Sequence, residues 1–400
     1  VAARALQGKS HSTVIMTATP ITTKPADLWN MGLLLGLPQF KDTVQLKTMN
    51  RELSAAQRRD RKAQREAGVE GSILRAVFVG NQNPEAAQEE YLPVMKTWMG
   101  RMREWFAPVI ILRTVDSTDN MGNKILGLLP YHDHSLKIKL LDWEMENLRN
   151  IARGYLDECP IVGMSKNFYV EFRRSILHPH MNSTDERSWT KPKSWEEWDT
   201  SPNTKSMKLD VLAMLLKYHL ESDGRQPLMM DESGRNLVPN PAFAAGNTSP
   251  DEPDRIIVFS AFVTSNQAIV DILDLHGIRV LELNGQTPMN KRKGILDEFR
   301  SSARTDGVRV LILSGVGMVG LNLACANIMV VMDTLWSEQD DRQLRGRIYR
   351  HPQAKEVHVY RAIALKTADV FLNNISFSKG AMHEAFIGAD KEFRKGSDYL

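Results

Sequence analysis

The segment QLRGRIYRHP, Gln343 to Pro352, holds the residue types best suited to chemistry. If it continues the helical pattern that begins at Ser337, then Gln343, Arg347 and Arg350 are spaced i, i+4 and i+7 and share one helix face. Gly346 lies beside them and leaves room for close approach, while Arg342 and Arg345 point elsewhere. Ser337 is placed to cap this helix, with Asp340 at the reciprocal capping position. His351-Pro352 ends it. Two guanidiniums and an amide converging beside a bare glycine suit a polyphosphate, because rigid arginine forks stabilise charge spread over phosphoryl oxygens. The competing reading is an amphipathic basic helix laced with salt bridges.

Other segments could add to such a site. SGVGMVGLNLA, Ser314 to Ala324, carries Gly315, Gly317 and Gly320 directly after an apolar run. A glycine loop at a strand's carboxyl end lets backbone approach a phosphate or a nucleic-acid backbone. In NGQTPMNKRKGILDEF, Gly285 and Thr287 fall at a strand end and a helix start, a natural place for an anion. The lysines and arginine that follow, Lys291 to Lys293, read as a solvated face. Gly8-Lys9-Ser10 is not a phosphate loop: the first glycine of that motif would fall on Ala3, and the segment precedes a strand instead of following one. His178-Pro179-His180 has no third ligand near it and reads as structural. The acidic pairs Glu89-Glu90 and Glu196-Glu197 read as solvated.

These residues need a scaffold, and the second half of the chain supplies a regular one. Apolar runs at 255–260, 279–283, 308–314 and 327–333, with a last strand at 356–363, alternate with helical periodicity at 264–277, 287–302 and 337–350. Strands apolar on both faces, alternating with helices, predict a parallel sheet covered by helices, with ligands at the strands' carboxyl ends. Upstream, 12–37 reads as a short strand (Thr13 to Met16), a turn and a helix from Asp27 to Leu35. Residues 54–67 read as a charged helix capped by Ser54, its arginines and lysine covering most of the circumference and solvated. A helix rich in Met and Trp spans 85–113, 142–180 is mostly helical, and a helix runs from Leu209 to His219. Residues 183–205 read as a polar loop pinned by Trp189, Trp195 and Trp198, and 222–254 as a flexible insertion.

The 400 residues allow two or three domains, and their 42% apolar and 25% charged composition is that of a globular protein. A net charge of +3 gives no whole-molecule field for nucleic acid, so any such surface must be a local patch. Cys159 and Cys325 lack neighbours at ligand spacing, which argues against a disulfide framework or zinc ribbon and suits a reducing compartment. No apolar run approaches a membrane span.

The arginine segment, the glycine loop and the NGQT segment, in their order, resemble the second RecA-like lobe of superfamily-two helicases. Thr17-Ala18-Thr19-Pro20 is similar to the Thr-Gly-Thr-Pro that closes the first lobe in that family. The long stretch between Pro20 and Ile256, with PVIILRT, LLPYHDHSLKIKLLDWE, RRSILHPHM and DTLWSEQDDRQ, narrows the resemblance to Swi/Snf-type double-stranded DNA translocases. In the last of these Trp336 and Gln339 match the family's Trp-Asn-Pro-Gln stretch, while Ser337 and Glu338 depart from it.

The resemblance implies an α/β fold: a RecA-like parallel-sheet lobe, the helicase C-terminal domain, preceded by the end of a first RecA-like lobe and a helical insertion. The corresponding boundaries are 1–45 for the end of the first lobe, 46–205 for the helical insertion and brace, 206–254 for a linker helix and loop, and 255–390 for the second lobe. It implies ATP with Mg²⁺ as cofactor, double-stranded DNA or chromatin as partner, further protein partners, no membrane, and a nuclear location. Arg347 and Arg350 would be catalytic; Gln343, Gly346, Gly320 and Asn322 would serve the nucleotide. Thr17, Thr19, Gly285, Thr287, Ser314, Gly315, Gly317 and Trp336 would touch nucleic acid or couple it to ATP. The sequence contains no Gly-Lys-Thr phosphate loop and no Asp-Glu-x-His motif, both first-lobe features. The expectation is therefore a fragment that does not hydrolyse ATP alone. The alternatives are a non-catalytic binding scaffold lacking that lobe, or an RNA helicase.

Overall fold

The computed structural model describes residues 11–16, 25–66, 89–111, 117–158, 166–181, 189–244, 252–315, 320–335 and 338–370. Its centre is a six-stranded sheet, β1 (Tyr131–Ile138), β4 (Ile256–Phe259), β5 (Leu281–Leu283), β6 (Val310–Leu313), β7 (Ile328–Val331) and β8 (Val357–Ala364), in the order β1-β8-β7-β4-β6-β5. Every pairing in it is parallel. This is the parallel α/β lobe the sequence predicts.

The strand residues sort by parity onto two cores. Ile256, Val258, Val310, Ile312, Ile328 and Val330 face one side, which is covered by α4 (Asp142–Glu158), α5 (Lys166–Leu177), α7 (Met207–Glu221) and α8 (Asn266–Leu275). Ile257, Phe259, Leu311, Leu313, Met329 and Val331 face the other, under Leu296 and Phe299 of α9 (Met289–Ser301) and Leu344 of α10 (Glu338–Arg345). Burial on both faces explains the uninterrupted apolar runs of the central strands.

β1 is the strand the pattern did not announce. It lies within the region read as 46–205, yet it pairs with β8 along its whole length, Tyr131 opposite Val357 through Ile138 opposite Ala364. It is an edge strand, and its alternation of polar residues with Leu136 and Ile138 reflects one half-exposed side.

A separate core joins α1 (Ala26–Leu34), α2 (Thr43–Glu66) and α3 (Tyr91–Phe106) through Trp29, Phe40, Met49, Leu53, Met95, Trp98 and Met102. Gly32 is required there: a Cβ on it would lie 2.2 Å from the Phe40 ring. α2 begins eleven residues before the predicted Ser54 cap. Asp42 Oδ1 accepts the amides of Val44 (2.8 Å) and Gln45 (3.1 Å), satisfying first-turn donors.

Other expectations are corrected. Residues 13–16 form no strand. The polar loop contains α6 (Trp195–Thr200), capped by Ser194, whose Oγ accepts the Glu197 amide. The loop's tryptophans do pin it to the body as expected: Trp198 is fully buried, and Trp189 donates to Asp271 at 2.8 Å. Within 222–254, residues 228–239 form a hairpin, β2 (Leu228–Met230) against β3 (Leu237–Pro239). Asp231 holds its turn by accepting from Ser233, Arg235 and Asn236, which also keeps its carboxyl well below the usual range. Among the described residues no helix is long and apolar enough to cross a membrane.

Candidate functional site

α10 is positioned by charge. Asp341 accepts from Arg361 of β8 at 2.5 and 2.8 Å, and Arg361 also reaches Asp133 of β1 at 2.9 Å. Arg345 pairs with Asp133 at 3.5 Å and stacks over the Tyr131 ring at 4.3 Å. Burial raises the Asp341 carboxyl, but Arg361, with Arg345 and Arg342 behind it, outweighs burial and leaves the group below the ordinary value. The helix is thereby fixed to the β1–β8 edge from two directions.

The helix stops at Arg345, five residues before its predicted end. Beyond it three-residue turns interrupt the helical pattern, Arg347 N to Leu344 O (3.0 Å) and Ile348 N to Arg345 O (3.1 Å), although Tyr349 N still reaches Arg345 O at 2.9 Å. Arg347 and Arg350 therefore do not share a face of one continuous α-helix with Gln343, as the spacing predicts. The physical reason lies in two anchors. Ile348 is fully buried in the sheet's second core, and the Arg347 carbonyl accepts the amide of Leu323 at 2.9 Å.

Leu323 ends the glycine loop, so this bond joins two predicted segments. A second one runs from Arg347 Nη1 to the Leu321 carbonyl at 3.4 Å. Gly320 adopts φ +77, a conformation that side-chain-bearing residues resist. Asn322 is exposed; its Oδ1 accepts the Ala324 amide, and its carbonyl accepts from Arg300 at 3.0 Å. Arg300, on α9, was not singled out by sequence, since nothing in its spacing marks it.

Arg350 is exposed and Arg347 half-buried. Burial, and after it the adjacent Arg350 charge, lower the pKa of Arg347. An anion beside the two guanidiniums would offset the repulsion between them. Gly346 fits tightly: a Cβ there would lie 3.1 Å from the Arg342 carbonyl. Gln343 is half-buried on α10.

The second group lies at the carboxyl ends of β5 and β6. The Ser314 amide donates to Leu283 O at 3.4 Å; the Ser314 side chain is fully buried, and Gly315 beside it is exposed with open space where a Cβ would sit. Gly285 is exposed, and Thr287 is locked to Asn284. Asn284 Oδ1 accepts the amides of Gln286 (2.8 Å) and Thr287 (3.1 Å), and Thr287 Oγ1 accepts the Asn284 amide at 3.0 Å. Glu282 Oε1 in turn accepts from Asn284 at 2.5 Å and Asn266 at 2.8 Å. Asn284, Glu282 and Asn266 thus set the loop's shape. The asparagine before Gly285 was the available signal. Thr17, Thr19, Gly317, Trp336, Ser337 and the Gly8-Lys9-Ser10 segment lie outside the described residues.

The histidines read as structural are so placed. His178 Nε2 meets the Thr204 carbonyl at 2.8 Å, and burial lowers its pKa to about 3. Among the described residues no three His, Cys, Asp or Glu side chains are grouped to hold a metal.

Residues 244–352 match the family model described as the helicase conserved C-terminal domain. The chain is similar to ATP-dependent helicase fft1 of Schizosaccharomyces pombe, 29% identical over 36% of this chain and 15% of that protein. It is similar to ATP-dependent helicase FUN30 of Saccharomyces cerevisiae, 28% identical over 78% of this chain and 29% of that protein. The chain therefore spans less than a third of the length of these relatives. Among solved structures, the C-terminal part of the Fun30 ATPase domain aligns with 65% of this chain and 99% of its own, at a TM-score of 0.44 and 16% identity.

Proposed function

We propose, on the premise that residues 244–352 are a helicase C-terminal domain, that this chain is the second-lobe part of a Swi/Snf-type ATP-dependent DNA translocase acting on chromatin or in repair in the nucleus. Residues 255–390 with β1 form that lobe; 1–45 close the first lobe, 46–205 supply the helical insertion, and 206–254 the linker.

The observation that carries this reading is the backbone bond between Leu323 and Arg347. It ties a glycine loop suited to nucleic-acid backbone to an arginine pair suited to phosphate. In the complete protein Arg347 and Arg350 stabilise the charge of the transferred phosphoryl group. Gln343 and the bare backbone at Gly346 position the nucleotide, with Gly320 and Asn322 beside them. Ser314 to Gly317, Gly285 and Thr287 meet the DNA backbone, and Thr17, Thr19 and Trp336 couple that contact to closure of the two lobes. The phosphate-loop lysine and the Mg²⁺-holding carboxylate come from the first lobe, so the 400 residues alone do not turn over ATP.

The test is Arg347→Ala in the complete protein. DNA-stimulated ATP turnover falls by about a thousandfold, in line with loss of a catalytic arginine, while DNA affinity is kept. Unchanged turnover overturns the assignment.

A further inference from the structure

The helical hairpin of α2 and α3 carries a charge pattern that the lobe does not use. α2 contains seven basic and three acidic residues, a strong local excess in a chain of net charge +3. The structure sorts these charges. Met49, Leu53, Ala56 and Asp60 form its buried stripe. Lys47, Arg51, Ser54, Arg58 and Lys62, spaced at i, i+4, i+7, i+11 and i+15, lie on the ridge diametrically opposite, and all are exposed. At 1.5 Å per residue the ridge from Lys47 to Lys62 is about 22 Å long.

Two of the acidic groups, Glu52 and Asp60, are spent inside the hairpin. Glu52 accepts from Trp98 Nε1 at 2.8 Å. Asp60 accepts the amides of Glu90 and Tyr91, both at 2.9 Å, and so caps the start of α3. Glu90 pairs with Arg59, off the ridge, at 3.1 Å. Among the described residues Lys47, Arg51 and Arg58 have no ion-pair partner. With Glu52 and Asp60 bound within the hairpin, Lys47, Arg51 and Arg58 point outward with no carboxylate among the described residues to offset them.

We infer that this ridge is a second docking surface for the phosphate backbone of duplex nucleic acid, separate from the loops at the sheet's carboxyl end. Charge complementarity selects the occupant. Every exposed described residue from Lys47 to Lys62 is polar or charged. The ridge therefore lacks the aromatic or apolar anchors on which protein interfaces depend. A row of cations whose apolar neighbour is one aliphatic side chain, Val44 a turn before Lys47, matches the evenly spaced charge of a duplex and reads no base sequence.

The experiment uses the 400-residue chain and a mixed-sequence DNA duplex, with affinity followed by fluorescence anisotropy across a salt series. In the triple variant Lys47→Gln, Arg51→Gln, Arg58→Gln the slope of log affinity against log salt becomes shallower by about 2 to 3, since each lost phosphate contact removes about 0.9. The thermal midpoint stays the same, because the three side chains are exposed. A slope equal to that of the unaltered chain overturns the inference, as does a triple variant that keeps its duplex slope but loses binding to polyglutamate, which would assign the ridge to an acidic protein. Thr287→Val reports the loop after β5 independently. Affinity lowered only in Thr287→Val leaves the proposed function standing and removes the ridge; a shallower slope only in the triple variant does the reverse.

Discussion

The amide of Leu323 donates to the carbonyl of Arg347 at 2.9 Å. The bond is between backbones, so it constrains where the chain runs and not merely where a side chain points. Whatever displaces the glycine loop displaces the root of the arginine, and the reverse holds equally.

Gly346→Ala tests that constraint. The new Cβ would sit 3.1 Å from the Arg342 carbonyl, close enough to shift the turn that carries Arg347. A misplacement of about 1 Å can cost about a hundredfold in rate. The expected result in the complete protein is a loss of that order in DNA-stimulated ATP turnover with an unchanged thermal midpoint. Full activity would mean that the position of Arg347 does not matter to the reaction.

Lys208 and Asp369 form a pair only 1% and 3% exposed, 2.8 Å apart, with Lys208 also donating to Met332 O at 2.6 Å. Asp369→Ala strands a buried ammonium and should cost about 3–5 kcal/mol in denaturant unfolding. Replacing both partners, Lys208→Met with Asp369→Leu, should cost markedly less, because no uncompensated charge remains. Equal losses in the two variants would refute this account of the pair.

Stability should fall on acidification. Burial lowers the pKa of His134 to about 3, and of His219 and His358 to about 4, from the ordinary 6.5; neighbouring histidine charges add to the effect on each. His134 Nε2 meets His358 Nδ1 at 3.1 Å, and His219 Nε2 meets the Tyr360 hydroxyl at 2.9 Å. As pH drops below about 6.5 the unfolded chain takes up protons that the folded chain refuses until about 3 to 4, so stability declines through that window. Thermal unfolding against pH reads it directly, and His358→Gln should flatten the curve between pH 6.5 and 4. A midpoint independent of pH in that range would contradict it.

The fold was legible wherever a strand is buried on both faces. RIIVFS, VRVLILS and NIMVVMD became β4, β6 and β7 because continuous apolar runs have one natural home in a parallel sheet. β1 was not legible as part of the sheet, since its half-polar sequence is paired to a strand more than two hundred residues away. The arginine segment could be found from its residue types. The geometry of Arg347 could not, because helical spacing continues to His351 while the helix itself yields at Arg345 to a tertiary bond from Leu323. The composition of 222–254, rich in Gly, Pro, Asn and Asp, suggested flexibility; 228–239 within it instead encodes a tight turn organised by one aspartate.

The pairing of β1 with β8 joins the first strand of the sheet to the last. During synthesis β1 leaves the ribosome long before its partner exists. At translation speeds of about 5–20 residues per second it waits on the order of ten seconds or more with its pairing edge open. An apolar strand left so long would invite association with other nascent chains. His132, Asp133 and His134 give β1 a polar first half, so the polarity that concealed it in the sequence also makes its open edge a poorer template for such pairing.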